Sequence, residues 1–259
     1  MLKHILRAKF QTDSSTISHE KRQKTDKKAS LLTNIGIGVS LATAATAPLS
    51  ATAANEIMPS TATYKFTVDN KYDGTATRKL TKSGSNWNYK VNAKASGVAR
   101  ANQSSIFKIN GNTVSPSSAS TSYKFLGVGR THNLSFNPTA KKVTSTYRGK
   151  TNTFSAPNGA FDDLSLEVQI REDLLNGRFS GTYYMAKKDK VEKTQFKKVG
   201  TYNITVPAGT YQTVRIDRIH DDSDRASSFW LAPSLDYLPI KITQLNDGKK
   251  MEMQLTGVQ

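Results

Sequence analysis

Two charged residues in the chain stand where apolar ones are expected. Glu167 and Arg171 lie four apart within a run that reads as a helix, so their side chains share a face. On a helical wheel they fall between Leu174 and Leu164, inside the apolar arc. The plain expectation is a structural ion pair at a helix–sheet contact, or long side chains reaching out to water. The sharper expectation is a pocket floor where Arg171 meets an anionic head group. A planar guanidinium can hold a carboxylate or phosphate at two points. Asp163 and Glu172 are close enough in sequence to compete for Arg171.

Catalytic chemistry has weaker support. No Gly-x-Ser-x-Gly elbow is present. The histidines beyond residue 53 are His132 and His220. His220 stands in the run Asp217–Arg225, where Asp221, Asp222 and Asp224 could ligate a metal with it. The run lacks the glycine and distal glutamate of a calcium loop. It is expected as a polar turn between strands, because Asp and Ser bond their own backbone there. Gly127-Val128-Gly129-Arg130 is too short for a phosphate loop and is expected as a bulge or hairpin. The acidic residues show no spacing that selects a glycosidase-type pair. Without cysteine there is no disulfide, thiolate nucleophile, iron–sulfur cluster or cysteine zinc site. No catalytic residue, metal ligand or cofactor is therefore assigned.

The elements that must position Glu167 and Arg171 are mostly strands. Tyr64, Phe66 and Val68 alternate with polar residues, as do Trp87, Tyr89 and Val91. The same period recurs at Leu134/Phe136, Val214/Ile216, Leu238/Ile240/Ile242 and Met251/Met253/Leu255. This is the pattern of strands with one face in a core. Turns are expected at Asp73-Gly74, Asn110-Gly111, Asn137-Pro138, Arg148-Gly149, Pro207–Gly209 and Asp247-Gly248. That makes about a dozen short strands. The exception is Phe161–Asn176, which reads as a helix. Asp162 and Asp163 suit its start, and Asn176-Gly177 its end. Phe161, Leu164, Val168 and Leu175 share one side, and Leu166, Ile170 and Leu174 another. So wide an arc predicts a helix buried on most sides. The fold class expected is mainly β: an antiparallel meander forming an open or half-closed barrel, with one long helix packed in its concavity. Its mouth is expected to carry the aromatics Trp87, Tyr89, Phe107, Tyr123 and Phe125.

The first part of the chain reads as an address. Lys27-Lys28 precede an apolar run over 31–42, then small residues lead to Ala51-Thr52-Ala53. This is a basic region, an apolar region and an Ala-x-Ala site, so residues 1–53 read as a cleaved signal peptide. Residues 54–60 follow as a tail of the mature chain, and 61–259 as one domain. The polar residues and glycines in the run suit a transmembrane span poorly, so none is expected after cleavage. The whole chain carries 37 Lys plus Arg against 20 Asp plus Glu. Eight of the basic and three of the acidic residues lie within 1–53. The remaining basic residues include the scattered pairs Lys141-Lys142, Lys187-Lys188, Lys197-Lys198 and Lys249-Lys250, and form no long block. They suggest solubility and attraction to anionic envelope surfaces rather than nucleic-acid binding.

Several segments together carry a resemblance. Leu164-Ser165-Leu166 with Ile170–Gly177, Val206–Val214 and Phe229–Ile242 resemble an exported bacterial family, the domain of unknown function number 3108. The likeness spans about residues 60–257. It implies a Gram-negative envelope protein on an antiparallel β-rich fold, located in the periplasm. It implies no reaction and supplies no catalytic residues. A fold-level analogy extends to the open barrels of periplasmic lipoprotein and lipid carriers. The expected function is a non-catalytic exported protein binding a lipid-like or anionic envelope ligand, with Arg171, Glu167, Trp87 and Tyr89 as ligand-binding residues. The alternatives are an envelope assembly factor acting through protein partners not identified from sequence, and a hydrolase built on His220.

Overall fold

The computed structural model describes residues 55–95, 99–125 and 128–259. The expected signal peptide, its cleavage point and Gly127 lie outside these residues. The alternating runs form fourteen strands, numbered along the chain. The first eight are β1 Ser60–Val68, β2 Tyr72–Ser83, β3 Asn86–Ala95, β4 Ala99–Asn110, β5 Thr113–Phe125, β6 Val128–Asn137, β7 Lys142–Tyr147 and β8 Lys150–Ser155. The helix α1 spans Asp163–Leu175. Six strands follow it: β9 Thr182–Ala186, β10 Val191–Val206, β11 Gly209–Ile219, β12 Arg225–Ala232, β13 Leu238–Asn246 and β14 Lys249–Val258.

All fourteen belong to one antiparallel sheet in the order β8 to β1, then β14 down to β9. The first and last strands pair at its middle, with Phe66 opposite Met253 and Val68 opposite Met251. The sheet edges, β8 and β9, are therefore neighbours in sequence, and α1 lies between them. The chain after β8 returns to β9 through one parallel bridge. Phe161 donates to the Tyr184 carbonyl at 2.9 Å, and Ala186 donates to the Phe161 carbonyl at 2.9 Å. No ladder joins β8 to β9 among the described residues, so the barrel stays open, as the sequence implies.

Alternation decides the inward face. Along β3, Trp87, Tyr89, Val91, Ala93 and Ala95 are buried while their neighbours face out. Arg148-Gly149 and Asp247-Gly248 turn tightly with positive φ at both residues, the conformation that matches strand twist in a hairpin. Asp73-Gly74, expected as a turn, lies inside β2. A side chain at Gly74 would collide with the Phe66 ring and the Lys94 carbonyl. The turn comes earlier, at Asp69 and Asn70, whose φ values are 53° and 51°. Both residue types tolerate the left-handed region.

Helix α1 begins where its acids indicate. The Asp162 carboxylate accepts from the backbone of Leu164 and Ser165, and the Ser165 hydroxyl accepts from Asp162 N at 3.1 Å. This reciprocal cap satisfies amides that a helix start leaves open. Ser105 of β4 donates to the same carboxylate at 2.7 Å, so the cap also anchors the helix to the sheet. The middle of the helix is clamped by Gln169. It accepts from Val114 N at 2.7 Å and donates to the Asn112 carbonyl at 3.0 Å, holding the β4–β5 hairpin.

In the stretch before β1, one residue reaches the core. Ile57 is fully buried, and its amide donates to Glu172 at 2.9 Å. Among the described residues no helix is long and apolar enough to cross a membrane, which says nothing of spans made by strands.

Candidate functional site

The two apolar sides of α1 meet different surroundings. Leu164 and Val168 pack on Leu80, Trp87, Tyr89, Phe107 and Val114 of the β2–β5 side. Leu166, Ile170 and Leu174 face the β9–β12 side, with Tyr183, Met185, Phe196, Ile216 and Leu231. The second side is not filled. A cavity of about 140 Å³ lies there, between Leu166, Glu167, Ile170 and Arg171 on the helix and Met185, Phe196, Ile216, Phe229, Met251 and Met253 on the sheet. A space of about this size can hold a benzene-sized group.

The wall of this cavity carries charge. Arg78 of β2 donates to Glu167 at 2.6 Å, and the Tyr89 hydroxyl donates to the other Glu167 oxygen at 2.7 Å. The guanidinium sits 5.7 Å from the Tyr64 ring centre and 5.5 Å from that of Tyr89. Burial works against the Arg78 charge. Glu167, then Tyr89 and Tyr64, outweigh it and leave its pKa above the ordinary value. Burial pushes the Tyr64 hydroxyl up to about 12, against the pull of Arg78. At neutral pH Arg78 thus keeps its charge, and the Tyr64 and Tyr89 hydroxyls keep their protons.

Arg171 differs. It is 2% exposed and donates through Nε to the Asp236 carbonyl at 2.9 Å. Its Nη1 has no hydrogen-bond partner, and it makes no ion pair among the described residues. The expected Glu167–Arg171 pair does not form, because Arg78 and Tyr89 occupy both Glu167 oxygens. Glu172 turns away and binds Ile57; its second oxygen has no partner, and burial raises its pKa. Asp236 and the next residue, Tyr237, have φ values of 50° and 55°. Asp tolerates the left-handed region but the bulky Tyr237 is strained in it, and such strain persists only where surrounding structure holds it. The Arg171 bond to the Asp236 carbonyl is one such hold.

The cavity continues toward one end of the barrel. Asp163, Arg218, Ser227 and Gln244 line both the cavity and a larger polar opening of about 750 Å³. The opening is bordered by Lys187–Lys190 of the β9–β10 hairpin, Arg218–Asp222 of the β11–β12 turn, and Leu245, Asn246 and Lys249 around the β13–β14 hairpin. Arg218, at the junction, has an Nε without a partner. Burial lowers its pKa, with Asp163 opposing.

Of the residues expected at the site, Arg171 and Glu167 are in the cavity wall. Trp87 and Tyr89 are not. Trp87 is 1% exposed in the packed β2–β5 side, and Tyr89 reaches the site only through its bond to Glu167. Phe107 and Tyr123 are likewise buried in core clusters rather than at the mouth. Sequence reasoning missed Arg78, although its place between Ala76 and Leu80 in the inward phase of β2 marks it. The segment around His220 does border the polar opening. His220 Nε2 lies 3.1 Å from Ser227 Oγ. Among the described residues no three His, Asp or Glu side chains converge as metal ligands would.

The fold has a counterpart among solved structures. A β-barrel-like protein of domain of unknown function DUF1849 from Brucella abortus aligns with a TM-score of 0.51 at 12% identity, covering 79% of this chain and 98% of that one. A candidate lipoprotein from Parabacteroides distasonis aligns with a TM-score of 0.29 at 12% identity, over 80% of this chain and 96% of that one. No curated protein matches the sequence. A family model does, over residues 61–255, and the chain belongs to that family, Protein of unknown function (DUF3108).

Proposed function

We propose that this chain is an exported, non-catalytic binding protein of the periplasm whose cavity takes an amphiphile by its anionic group. The observation that carries this reading is Arg171. A buried cation without an anion is costly, and an anionic ligand supplies the missing partner. Carboxylate and phosphate both fit its free donors. The apolar wall of Met185, Phe196, Ile216, Phe229 and Met253 accepts a neighbouring hydrocarbon part. The cavity is too small for a long chain, so the remainder of the ligand passes Asp163 and Arg218 into the polar opening. Export rests on the Ala-x-Ala pattern at residues 51–53.

Native mass spectrometry of the protein purified from its own envelope, without detergent, tests the reading. The expected result is an added mass that leaves on denaturation, with occupancy at least tenfold lower in Arg171→Ala. A bare polypeptide mass overturns it. A second reading, an assembly factor acting through protein partners, is favoured by β8. This strand lies at the sheet edge with every residue but Phe154 exposed, and an uncovered edge can pair with another chain. Crosslinking in intact envelopes that returns no partner through β8 counts against it.

A further inference from the structure

Charge is distributed unevenly around the end of the barrel where the polar opening lies. In a meander, alternate turns share an end. The last residues of β1, β3, β5 and β7 therefore stand at the same end as the β9–β10, β11–β12 and β13–β14 turns. Backbone bonds between turns fit this: Asp69 N donates to the Lys250 carbonyl at 2.8 Å, and Asp247 N to the Asp224 carbonyl at 3.2 Å. Along the β1–β8 arc of this rim, Lys71, Lys94, Arg100, Lys124, Arg148 and Lys150 are all exposed. Register sets three of them side by side, with Lys94 opposite Arg100 and Arg100 opposite Lys124. Like charges directly opposed across strands repel, so this row is an uncompensated feature of the fold. None of the six makes an ion pair with a described residue. The acids of the same arc are Asp69 and Asp73. The β9–β14 arc is different: its basic residues alternate with Asp189, Glu192, Asp221, Asp222, Asp224 and Asp247.

Apolar side chains stand on the same end. Val128 at the start of β6 is 69% exposed, Ile219 at the end of β11 is 48% exposed, and Leu245 near the end of β13 is 37% exposed. Ile219 and Leu245 also line the polar opening. Basic residues with apolar ones between them, around the entrance of a cavity, are the chemistry of a surface that meets lipid head groups.

We propose that this rim docks on an anionic lipid bilayer, with the β1–β8 arc against the head groups and the opening facing the membrane. The basic row supplies attraction, and Val128, Ile219 and Leu245 enter the interface. Because one arc is basic and the other balanced, the contact has a preferred side. This inference stands on the outer charge pattern and does not depend on what the cavity holds.

The test is co-sedimentation of the protein, as isolated, with two kinds of vesicle: phosphatidylglycerol mixed with phosphatidylethanolamine, and phosphatidylcholine alone. Binding is expected on the anionic vesicles only, and it is expected to fall sharply in high salt. Each basic residue at an anionic surface strengthens partitioning roughly fivefold. The triple variant Lys94→Glu, Arg100→Glu, Lys124→Glu is therefore expected to lose more than tenfold. A control with the same charge change away from the rim, Lys79→Glu, Lys90→Glu, Lys108→Glu, is expected to keep most of the binding. Equal loss in both variants overturns the proposal, since net charge alone would then explain it. So does equal binding to both vesicle types, or binding to an anionic polysaccharide but not to vesicles. Arg171→Ala is expected to bind vesicles like the parent chain, which separates failure here from failure of the cavity reading.

Discussion

One helix is packed by the same sheet in two ways. Toward β2–β5, Leu164 and Val168 meet Trp87, Tyr89 and Phe107, and the space is filled. Toward β9–β14, Leu166 and Ile170 meet Met185, Phe196, Ile216 and Met253 across a cavity of about 140 Å³. Both sides are apolar, and both are buried. The difference lies in volume and charge. Trp87, Tyr89 and Phe107 pack one side, while the other, although it carries Tyr183, Phe196 and Phe229, keeps space and an arginine whose charge is unanswered. Hydrophobicity alone therefore does not separate a face that packs closely from one that leaves a cavity.

That comparison can be broken by substitution. Trp87→Ala is expected to have the largest effect, destabilising by about 3–5 kcal/mol through a cavity in the filled side. A denaturant melt checks it, and any protein still folded should keep the added mass expected for the parent chain. Glu167→Ala is expected to cost a similar amount, about 3–5 kcal/mol, because it strands Arg78 in the interior. If Glu167→Ala melts like the parent chain, the two sides are not joined through Arg78 as described. Enlarging a residue on each side sharpens the contrast. Val168→Phe should cost about 1–3 kcal/mol by overpacking, whereas Met253→Phe should cost less than about 1.5 kcal/mol and displace the bound mass. Arg171→Met is expected to abolish ligand retention while leaving stability equal or about 1 kcal/mol higher, since it removes a buried charge that lacks an anion. A strongly destabilised Arg171→Met would show that the bond to the Asp236 carbonyl matters more than the charge.

The smallest effect concerns pH. Burial raises the pKa of Glu172 despite its bond from Ile57, and raises that of Asp162 and Asp173 despite their hydroxyl donors. The folded state therefore holds these protons more tightly than the unfolded chain. Their contribution to stability is full below the ordinary carboxylate range and is lost as pH rises through the raised values. His132, whose pKa is lowered first by burial and then by Lys188, acts the other way. Its contribution is present above its ordinary value and is lost as pH falls through the folded one. Glu172→Gln should flatten the decline of Tm with rising pH just above the ordinary carboxylate range. An unchanged slope would exclude Glu172 as a source.

Much of this architecture is legible in period and spacing. Alternation at Tyr64–Val68, Trp87–Val91 and Met251–Leu255 specifies inward faces, because side chains on a strand alternate sides. The helix wheel separates Leu164 and Val168 from Leu166 and Ile170, and these are the two packing sides found. It also places Glu167 and Arg171 in the arc between them. Pairing was not legible. Glu167 takes Arg78, which is 89 positions away, over Arg171 one turn along the same helix. Aromatics that alternate inward could line a mouth or fill a core, and Trp87 and Phe107 fill the core.

The sequence by itself determined the strands, the capped helix, and the place of Glu167 and Arg171 within its apolar arc. These follow from local rules: side-chain period, end-capping chemistry and turn residues. Only the tertiary structure decided that β1 pairs with β14, that one side of the helix is filled and the other hollow, and that Arg171 lacks an anion. It also decided that Lys94, Arg100 and Lys124 stand in one row. Those facts depend on which distant residues meet as the sheet curls, and long-range register is set by the sum of many contacts that no local window contains.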